Sequence, residues 1–122
     1  MEPKAATTIV ARDVDITFDP GVDALAHVNV TIEAGSFVSI VGPSGCGKST
    51  FLRLVSGLTQ ASRGRIEVDG VVPAEARRLH RNLSYVLQDA TLLDWRPVAT
   101  NVALPLELRG IAQSEVVERV EA

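Results

Sequence analysis

The residues best suited to chemistry form one glycine-rich stretch, Gly42-Pro-Ser-Gly-Cys-Gly-Lys-Ser49. Its three glycines let the backbone curl so that successive N–H groups point inward, and a helix after the loop would add the positive end of its dipole. The ammonium of Lys48 and the hydroxyl of Ser49 stand where a phosphate-binding loop carries a cation and a ligand for Mg²⁺. The stretch therefore predicts a site for the phosphates of a nucleoside triphosphate, with ATP and Mg²⁺ as its ligands.

Each residue of the loop has an expected part in this site. Lys48 would bridge the β and γ phosphates, Ser49 would bind Mg²⁺, and Thr50 would support the α or β phosphate. Cys46 is expected to contribute only its backbone amide, as a small residue in a tight turn. The predicted phosphate cradle as a whole comprises Gly42, Pro43, Ser44, Gly45, Cys46, Gly47, Lys48, Ser49 and Thr50.

Hydrophobic periodicity predicts the elements that position this loop. Residues 8–18 and 27–32 alternate apolar and polar positions, which indicates two half-buried strands. The short apolar run at residues 37–41 leads into the loop and predicts a buried central strand of a parallel sheet. Residues 48–56 have helical spacing, and Gly57 stands where a C-terminal helix cap would be. A strand, a phosphate loop and a helix in this order indicate an α/β fold.

The second half of the sequence predicts shorter elements. A strand over residues 65–68 ends in an Asp69-Gly70 turn, Pro73 begins a short helix, and residues 83–87 form another strand. Residues 98–108 predict the beginning of a helix that Pro105 should end or kink. Ser114 is the expected N-cap of a last helix, which reaches Ala122 without a stop signal. We therefore expect the N-terminal part of a longer α/β domain, with a P-loop core and antiparallel β portion at 1–97 and a helical subdomain from 98.

Composition excludes several functions. The formal net charge is −3 with a pI near 5.3, so the chain has no basic field for nucleic acid. Cys46 is the only cysteine, which precludes an intrachain disulfide and fits a reducing compartment. No stretch reaches the ~18 apolar residues of a membrane span, so membrane association would go through a partner.

The other histidines and aspartates considered as site residues are expected to have no catalytic or metal-binding role. His27 and His80 have no metal-ligand spacing, and both are expected to be solvated or satisfied locally. Asp13, Asp15 and Asp23 are scattered through a region that resembles a sheet edge, where charges discourage further pairing. We expect no metal cluster among them.

Residues 42–58 resemble the ATP-binding subunits of ABC transporters, and the resemblance runs across nearly the whole chain. The stretch that carries it is Gly42-Pro-Ser-Gly-Cys-Gly-Lys-Ser-Thr-Phe-Leu-Arg-Leu-Val-Ser-Gly-Leu58. It implies that Phe18 stacks on adenine, although a core aromatic at a strand end is the alternative. It also implies that Gln88 is a catalytic glutamine, which ligates Mg²⁺ and positions the attacking water, alongside Lys48. A second ATP-binding subunit as dimer partner follows from the same resemblance.

The segment from residue 91 to residue 110 is similar to the nitrate, sulfonate and taurine importer group, in which Leu-Leu-Pro-Trp and Asn-Val-x-x-Pro-Leu stretches are usual. Asp94 replaces the proline of the first stretch. The similarity implies that residues 88–97 face an integral-membrane permease, with Trp95 and Arg96 as partner contacts or as intramolecular packing residues. It places the protein in the cytoplasm, peripheral on the inner face of the cell membrane.

The family's later motifs are missing from the 122 residues. These motifs are the Leu-Ser-Gly-Gly signature, the apolar strand ending in Asp with its catalytic Glu, and the switch His. A P-loop grips phosphates but needs other groups to orient water and stabilise charge. We expect this chain to bind ATP without hydrolysing it. The alternatives are a non-catalytic truncated gene product, or another P-loop enzyme such as a kinase or GTPase.

Overall fold

The computed structural model describes residues 7–80, 83–89 and 91–122, which fall into two compact units, Met1–Tyr85 and Val86–Ala122. Within the described residues, the first unit contains β1 (Ile9–Phe18), β2 (Val22–Ile32), α1 (Lys48–Val55), β3 (Arg63–Val68) and α2 (Pro73–His80). The second unit contains α3 (Val98–Leu108) and α4 (Gln113–Glu121).

The three strands form an antiparallel sheet with the order β2-β1-β3. Ile9 at the start of β1 lies opposite Ile32 of β2 on one side and Val68 of β3 on the other. A tight hairpin joins β1 to β2, with Phe18 paired to Val22. The prediction of an N-terminal antiparallel β portion is therefore confirmed.

The apolar residues of β1 that face the core lie at odd positions up to Ala11 and at even positions from Val14, and an irregularity in the strand explains this change. The register shifts between Ala11 and Val14, and Asp13 has a φ of 48°. An extra residue in one strand reverses the face on which later side chains lie. Ala11 and Val14 are therefore both buried, at 2% and 0% exposure.

The core of the first unit lies between one face of this sheet and α1. Phe51 and Leu54, three residues apart on α1, are its buried side chains, and Leu54 is only 1% exposed. Burying a leucine side chain contributes about 1.5–3 kcal/mol. Packing therefore fixes α1, and with it the start of the helix at Lys48. The sheet residues of this core are Ala11, Val14, Ile16 and Ile66.

The end of α1 is closed by the predicted glycine cap. Gly57 has a φ of 68°, its N–H bonds to the carbonyl of Leu54, and the N–H of Leu58 bonds to the carbonyl of Arg53. These two bonds define a Schellman motif. A Cβ on Gly57 would also lie 2.6 Å from the backbone nitrogen of Ala74. Gly57 thus serves both the cap and the close approach of α2.

Two predicted strands do not form among the described residues. Residues 37–41 and 83–87 have no ladder pairing there, and the strands of the described sheet pair antiparallel, so the predicted parallel central strand is not among them. Phe37 and Val41 are 95% and 92% exposed. An apolar run indicates a tendency to be buried, but a strand also needs a neighbour that supplies hydrogen bonds. No described segment supplies one, so both strand predictions were wrong.

The starts of β2 and α4 differ from expectation. β2 begins at Val22, five residues before the predicted start, because its first residues pair across the hairpin. α3 has the predicted bounds, Val98–Leu108, and Pro105 does not end it, since a proline ring obstructs the turn before it rather than the one after it. α4 begins at Gln113 with Ala112 as its N-cap, so the prediction of Ser114 as the N-cap was wrong. A Schellman turn at Gly110 ends α3 and leaves only a short connection to set that start.

Candidate nucleotide-binding site

The backbone of the glycine-rich loop adopts conformations that favour glycine. Gly45 and Gly47 have φ values of 80° and 99°, in the region that L side chains rarely adopt. Between them the N–H of Cys46 donates to the carbonyl of Pro43 at 3.3 Å, which closes one turn of the loop. Two of the three loop glycines therefore have the left-handed conformation of a curled loop, and Gly42 does not.

Gly47 is also a packing position. A Cβ added there would lie 2.4 Å from the carbonyl oxygen of Ala24 and 2.8 Å from Cδ2 of Leu25. Both neighbours belong to β2. The β1–β2 hairpin therefore packs directly against the phosphate loop at Gly47, and only glycine leaves room for that contact.

The loop leads into α1, and no side chain of the described residues caps the first turn of this helix. The N-cap is Gly47, whose carbonyl accepts the N–H of Phe51 at 2.9 Å, and no described side chain caps this end. No acidic residue lies in the first turn, where Ser49 is exposed. The first N–H groups of a helix need an acceptor, and the helix dipole favours a negative one. This end of α1 is suited to an anion.

The ammonium of Lys48 lies over the loop. Its Nζ donates to the carbonyls of Gly42 at 2.8 Å and Pro43 at 2.7 Å, and it lies 3.5 Å from the Sγ of Cys46. The cation and the uncapped helix end therefore belong to one loop of nine residues. Lysine and helix N–H groups both donate to phosphate oxygens, so the arrangement suits a polyphosphate.

A divalent metal at this loop would depend on phosphate oxygens. Across the ranges that the structure describes, no group of three His, Cys, Asp or Glu side chains could hold a metal ion. Mg²⁺ takes oxygen ligands and is usually held by few protein groups together with phosphates and water. The hydroxyl of Ser49, in the first turn of α1, is a hard oxygen donor that fits this ion.

Phe18 lies at the end of β1, next to the hairpin turn. Its side chain is 47% exposed, and its carbonyl accepts the N–H of Gly21 at 2.7 Å. The same hairpin carries Ala24, which contacts Gly47. Phe18 and the phosphate loop are thus parts of one unit, and the ring is open enough to stack on a base.

The other predicted site residues belong to the second unit. Gln88 is exposed, and Trp95 is 80% exposed in a turn before α3. Arg96 instead has an intramolecular partner, because its guanidinium lies 2.8 Å from a carboxylate oxygen of Glu107. Trp95 is therefore the more available of the two for a partner contact.

Sequence reasoning did not single out Asn101. Its side-chain oxygen accepts the N–H of Leu93 at 2.8 Å, and its amide nitrogen donates to the carbonyls of Leu93 and Arg96 at 3.1 and 2.9 Å. The available signal was an asparagine in the first turns of a helix, where its amide bonds to nearby backbone rather than favouring the helix. Asn101 organises the turn that carries Trp95.

His27 has the local partners that were expected. Its Nδ1 lies 2.8 Å from an Asp13 carboxylate oxygen, and its backbone N–H donates to a carboxylate oxygen of Asp15 at 2.6 Å. The hydrogen bond with Asp13, followed by the charge of Asp15, raises the pKa of His27, and the same hydrogen bond lowers the pKa of Asp13. However, Asp13 and Asp15 lie on the central strand, so the interpretation of them as edge charges was wrong. The side chain of His80 lies outside the described residues.

None of the helices within residues 7–80, 83–89 and 91–122 has the length and hydrophobicity that a membrane crossing needs.

Curated relatives of this chain are ATP-binding proteins of importers. A methionine import ATP-binding protein from Corynebacterium jeikeium is 41% identical over 94% of this chain and 33% of the relative. An sn-glycerol-3-phosphate import ATP-binding protein from Rhodopseudomonas palustris is 38% identical over 93% of this chain and 31% of the relative. An aliphatic sulfonates import ATP-binding protein from Cupriavidus necator is 49% identical over 70% of this chain and 28% of the relative. The chain therefore spans about a third of the length of these relatives.

The fold is also found in solved structures. The ATP-binding cassette MJ0796, in a dimeric post-hydrolysis state bound to ADP and Pi, superposes with a TM-score of 0.80 at 30% identity, covering 92% of this chain and 53% of the other. A second dimeric structure of MJ0796, a bacterial ABC transporter cassette, gives the same TM-score over 91% of this chain. The P-loop NTPase fold predicted from the sequence is confirmed.

The family itself follows from a direct match. The sequence model of the family described as ABC transporter matches residues 25–122, which include the phosphate loop, Gln88 and the turn that carries Trp95. Since this match covers most of the chain, it excludes the alternative that the chain belongs to another P-loop enzyme such as a kinase or GTPase. The chain belongs to the ABC transporter family, as part of an ATP-binding domain of that family.

Proposed function

We propose that this chain forms the ATP-binding part of an importer subunit that couples the binding and hydrolysis of ATP to the uptake of a small anion. The observation that carries this proposal is the convergence of Lys48 and the uncapped end of α1 on one loop. A cation and free N–H donors on a loop with positive-φ glycines are what a triphosphate needs.

In the proposed site, each residue acts on a stated part of the ligand. Lys48 moves from the carbonyls of Gly42 and Pro43 to the β and γ phosphates, and the loop N–H groups hold the remaining oxygens. Ser49 and Gln88 would hold Mg²⁺, which would neutralise phosphate charge. Gln88 also orients the attacking water, Thr50 supports the α or β phosphate, and Phe18 stacks on the adenine.

We propose nitrate, a sulfonate or taurine as the transported solute. The support is the segment from residue 91 to residue 110, together with the 49% identity to the sulfonate import protein over 86 residues. Relatives named for methionine, sn-glycerol-3-phosphate and spermidine/putrescine are 41%, 38% and 40% identical. Each of these solutes is therefore a comparison for the uptake experiment.

The proposed partners are a second ATP-binding subunit and an integral-membrane permease. The two structures of MJ0796 are dimeric, which supports the first partner. The permease would contact residues 88–97, where Trp95 is 80% exposed. This contact would hold the protein on the cytoplasmic side, peripheral to the inner face of the cell membrane.

We also propose that residues 1–122 on their own bind ATP without appreciable hydrolysis. The printed sequence supplies a phosphate loop and Gln88 but no Leu-Ser-Gly-Gly signature. Phosphoryl transfer needs positioned groups on both sides of the γ phosphate. In this proposal, residues 1–97 form the P-loop core with its β portion, and residues 98–122 begin the helical subdomain.

Two measurements test the proposal. Phosphate release by the purified chain with Mg-ATP should stay at the level of a Lys48→Ala control, whereas release that depends on Lys48 would contradict the inactivity of the isolated chain. For transport, cells whose only ATP-binding subunit is an importer subunit that contains residues 1–122 should take up labelled taurine, alkanesulfonate or nitrate, and Lys48→Ala should abolish uptake. Uptake of methionine in place of these anions would overturn the proposed solute class.

A further inference from the structure

Asn101 lies in the first turns of α3, and its side chain reaches back to the loop before the helix. The side-chain oxygen accepts the N–H of Leu93, and the amide nitrogen donates to the carbonyls of Leu93 and Arg96. A longer contact of 3.3 Å joins the same nitrogen to the carbonyl of Pro97. One side chain thus binds the backbone at both ends of residues 93–97.

Two further contacts fasten this loop. The N–H of Arg96 donates to the carbonyl of Leu93 at 3.0 Å, which closes a turn with Asp94 and Trp95 at its centre. The guanidinium of Arg96 lies 2.8 and 3.1 Å from the two carboxylate oxygens of Glu107, near the other end of α3. The loop is therefore attached to α3 at two places, 101 and 107.

Between these attachments, the side chain of Trp95 is 80% exposed, whereas the Arg96 side chain is 22% exposed. A tryptophan on a mobile loop loses conformational freedom when a partner binds it, and this loss weakens binding. A tryptophan on a loop that is already fixed avoids that cost, and tryptophan is frequent among the residues that dominate interfaces.

We propose that Asn101 is a positioning residue, which holds residues 93–97 in one conformation so that Trp95 is a preformed anchor for the membrane permease. This proposal rests on the proposed function, in which residues 88–97 contact the permease. Asn101 acts through the turn and does not itself touch the partner.

The chemistry of the side chain explains why asparagine is needed. Leu93 offers an N–H that needs an acceptor, while Leu93 and Arg96 offer carbonyls that need donors. A carboxamide supplies both kinds of group at this distance. An aspartate has the same shape but places a negative charge against the carbonyls, so Asn101→Asp should not replace it.

The experiment uses the single tryptophan of the chain as its own probe. Time-resolved fluorescence anisotropy of the 122-residue chain reports the motion of Trp95 on the sub-nanosecond to nanosecond scale. In the wild type and in a Gln113→Ala control, the ring should mainly follow the tumbling of the protein. In Asn101→Ala and Asn101→Asp, the amplitude of the fast component should rise about twofold or more.

Two results would overturn the positioning role. One is a wild-type Trp95 that already moves freely, a measurement that does not depend on any variant folding. The other is an unchanged fast component in Asn101→Ala or full rescue by Asn101→Asp.

The partner role is tested separately in the uptake assay. Asn101→Ala should lower uptake about fivefold or more while Gln113→Ala does not, with Mg-ATP binding of the purified variants unchanged. Unchanged uptake with a mobile Trp95 would contradict the link to the permease. Failure of the wild-type chain to bind Mg-ATP would instead contradict the proposed function and leave the anisotropy result standing.

Discussion

Gly47 of the phosphate loop lies so close to Ala24 of β2 that a Cβ on Gly47 would be 2.4 Å from the Ala24 carbonyl oxygen. The loop and the β1–β2 hairpin are therefore joined by direct backbone packing. The hairpin also carries Phe18 at its turn. The residues proposed to contact the adenine and the phosphates are therefore held by the same hairpin.

This contact predicts a severe effect of Gly47→Ala. Both Gly47 and Gly21 have positive φ values, 99° and 87°, but only Gly47 has neighbours within 4 Å of the added Cβ. Gly21→Ala should cost about 1–2 kcal/mol of unfolding free energy from backbone strain alone. Gly47→Ala should cost at least about 1 kcal/mol more, from the clash in addition. Urea unfolding of the two variants tests this, and equal losses would contradict the packing role of Gly47.

A second pair tests the packing that fixes α1. Leu54 is 1% exposed in the core and Leu52 on the same helix is 48% exposed. Leu54→Ala should lower the unfolding free energy by about 2–5 kcal/mol, because it leaves a cavity. Leu52→Ala should change it by about 0.5 kcal/mol or less. Chemical denaturation followed by circular dichroism distinguishes the two, and comparable losses would argue against the burial of Leu54.

A metal dependence is expected for Ser49. If its hydroxyl coordinates Mg²⁺, Ser49→Ala should weaken binding of Mg-ATP about tenfold, while metal-free ATP measured in EDTA should bind as it does to the wild type. Ser36, whose hydroxyl donates to the Glu33 carbonyl at 2.6 Å, provides the control Ser36→Ala. Equal weakening with and without Mg²⁺ would show that Ser49 acts on the phosphates rather than on the metal.

The pair of His27 and Asp13 predicts a pH dependence. The hydrogen bond to Asp13 and the charge of Asp15 raise the pKa of His27 above 6.5, and the hydrogen bond to His27 lowers the pKa of Asp13 below 3.8. The His27 contribution to stability is therefore complete below pH 6.5 and disappears as the pH rises through its raised pKa. The Asp13 contribution is complete above pH 3.8 and disappears as the pH falls through its lowered pKa.

NMR titration measures this pair directly. The His27 resonances are assigned by their absence in His27→Gln, and their midpoint should lie above 6.5. In Asp13→Asn the pKa of His27 should fall, and asparagine tolerates the φ of 48° at this position. A wild-type midpoint at or below 6.5, or one that does not move in Asp13→Asn, would contradict the contact.

The features that the sequence predicted correctly depend on local signals. Gly57 was predicted as a helix cap because a positive φ after a helical pattern is a requirement of neighbouring residues alone. The turn of the chain at Gly45 and Gly47 follows the same logic, since these glycines supply conformations that other residues rarely adopt. The alternation in residues 8–18 gave β1 with its antiparallel partner.

The features that were missed depend on contacts that no pattern of neighbouring residues specifies. Residues 37–41 have the composition of a buried strand, yet pairing is decided by a neighbour that no local pattern specifies. The register shift at Asp13 depends on β2 and β3 together. Asn101 has a role because of four contacts with a loop up to eight residues before it. In each case the determining partner lies outside the local pattern.

The most direct test of the central claim is titration calorimetry of the 122-residue chain with Mg-ATP, beside Lys48→Ala and an Arg53→Ala control. Arg53 is exposed on the same helix and lies outside the loop. A charge-assisted contact is worth about 1.5–3 kcal/mol, so Lys48→Ala should weaken binding about 10- to 100-fold while Arg53→Ala binds like the wild type. Equal affinity of the wild type and a folded Lys48→Ala variant would contradict a phosphate site at this loop.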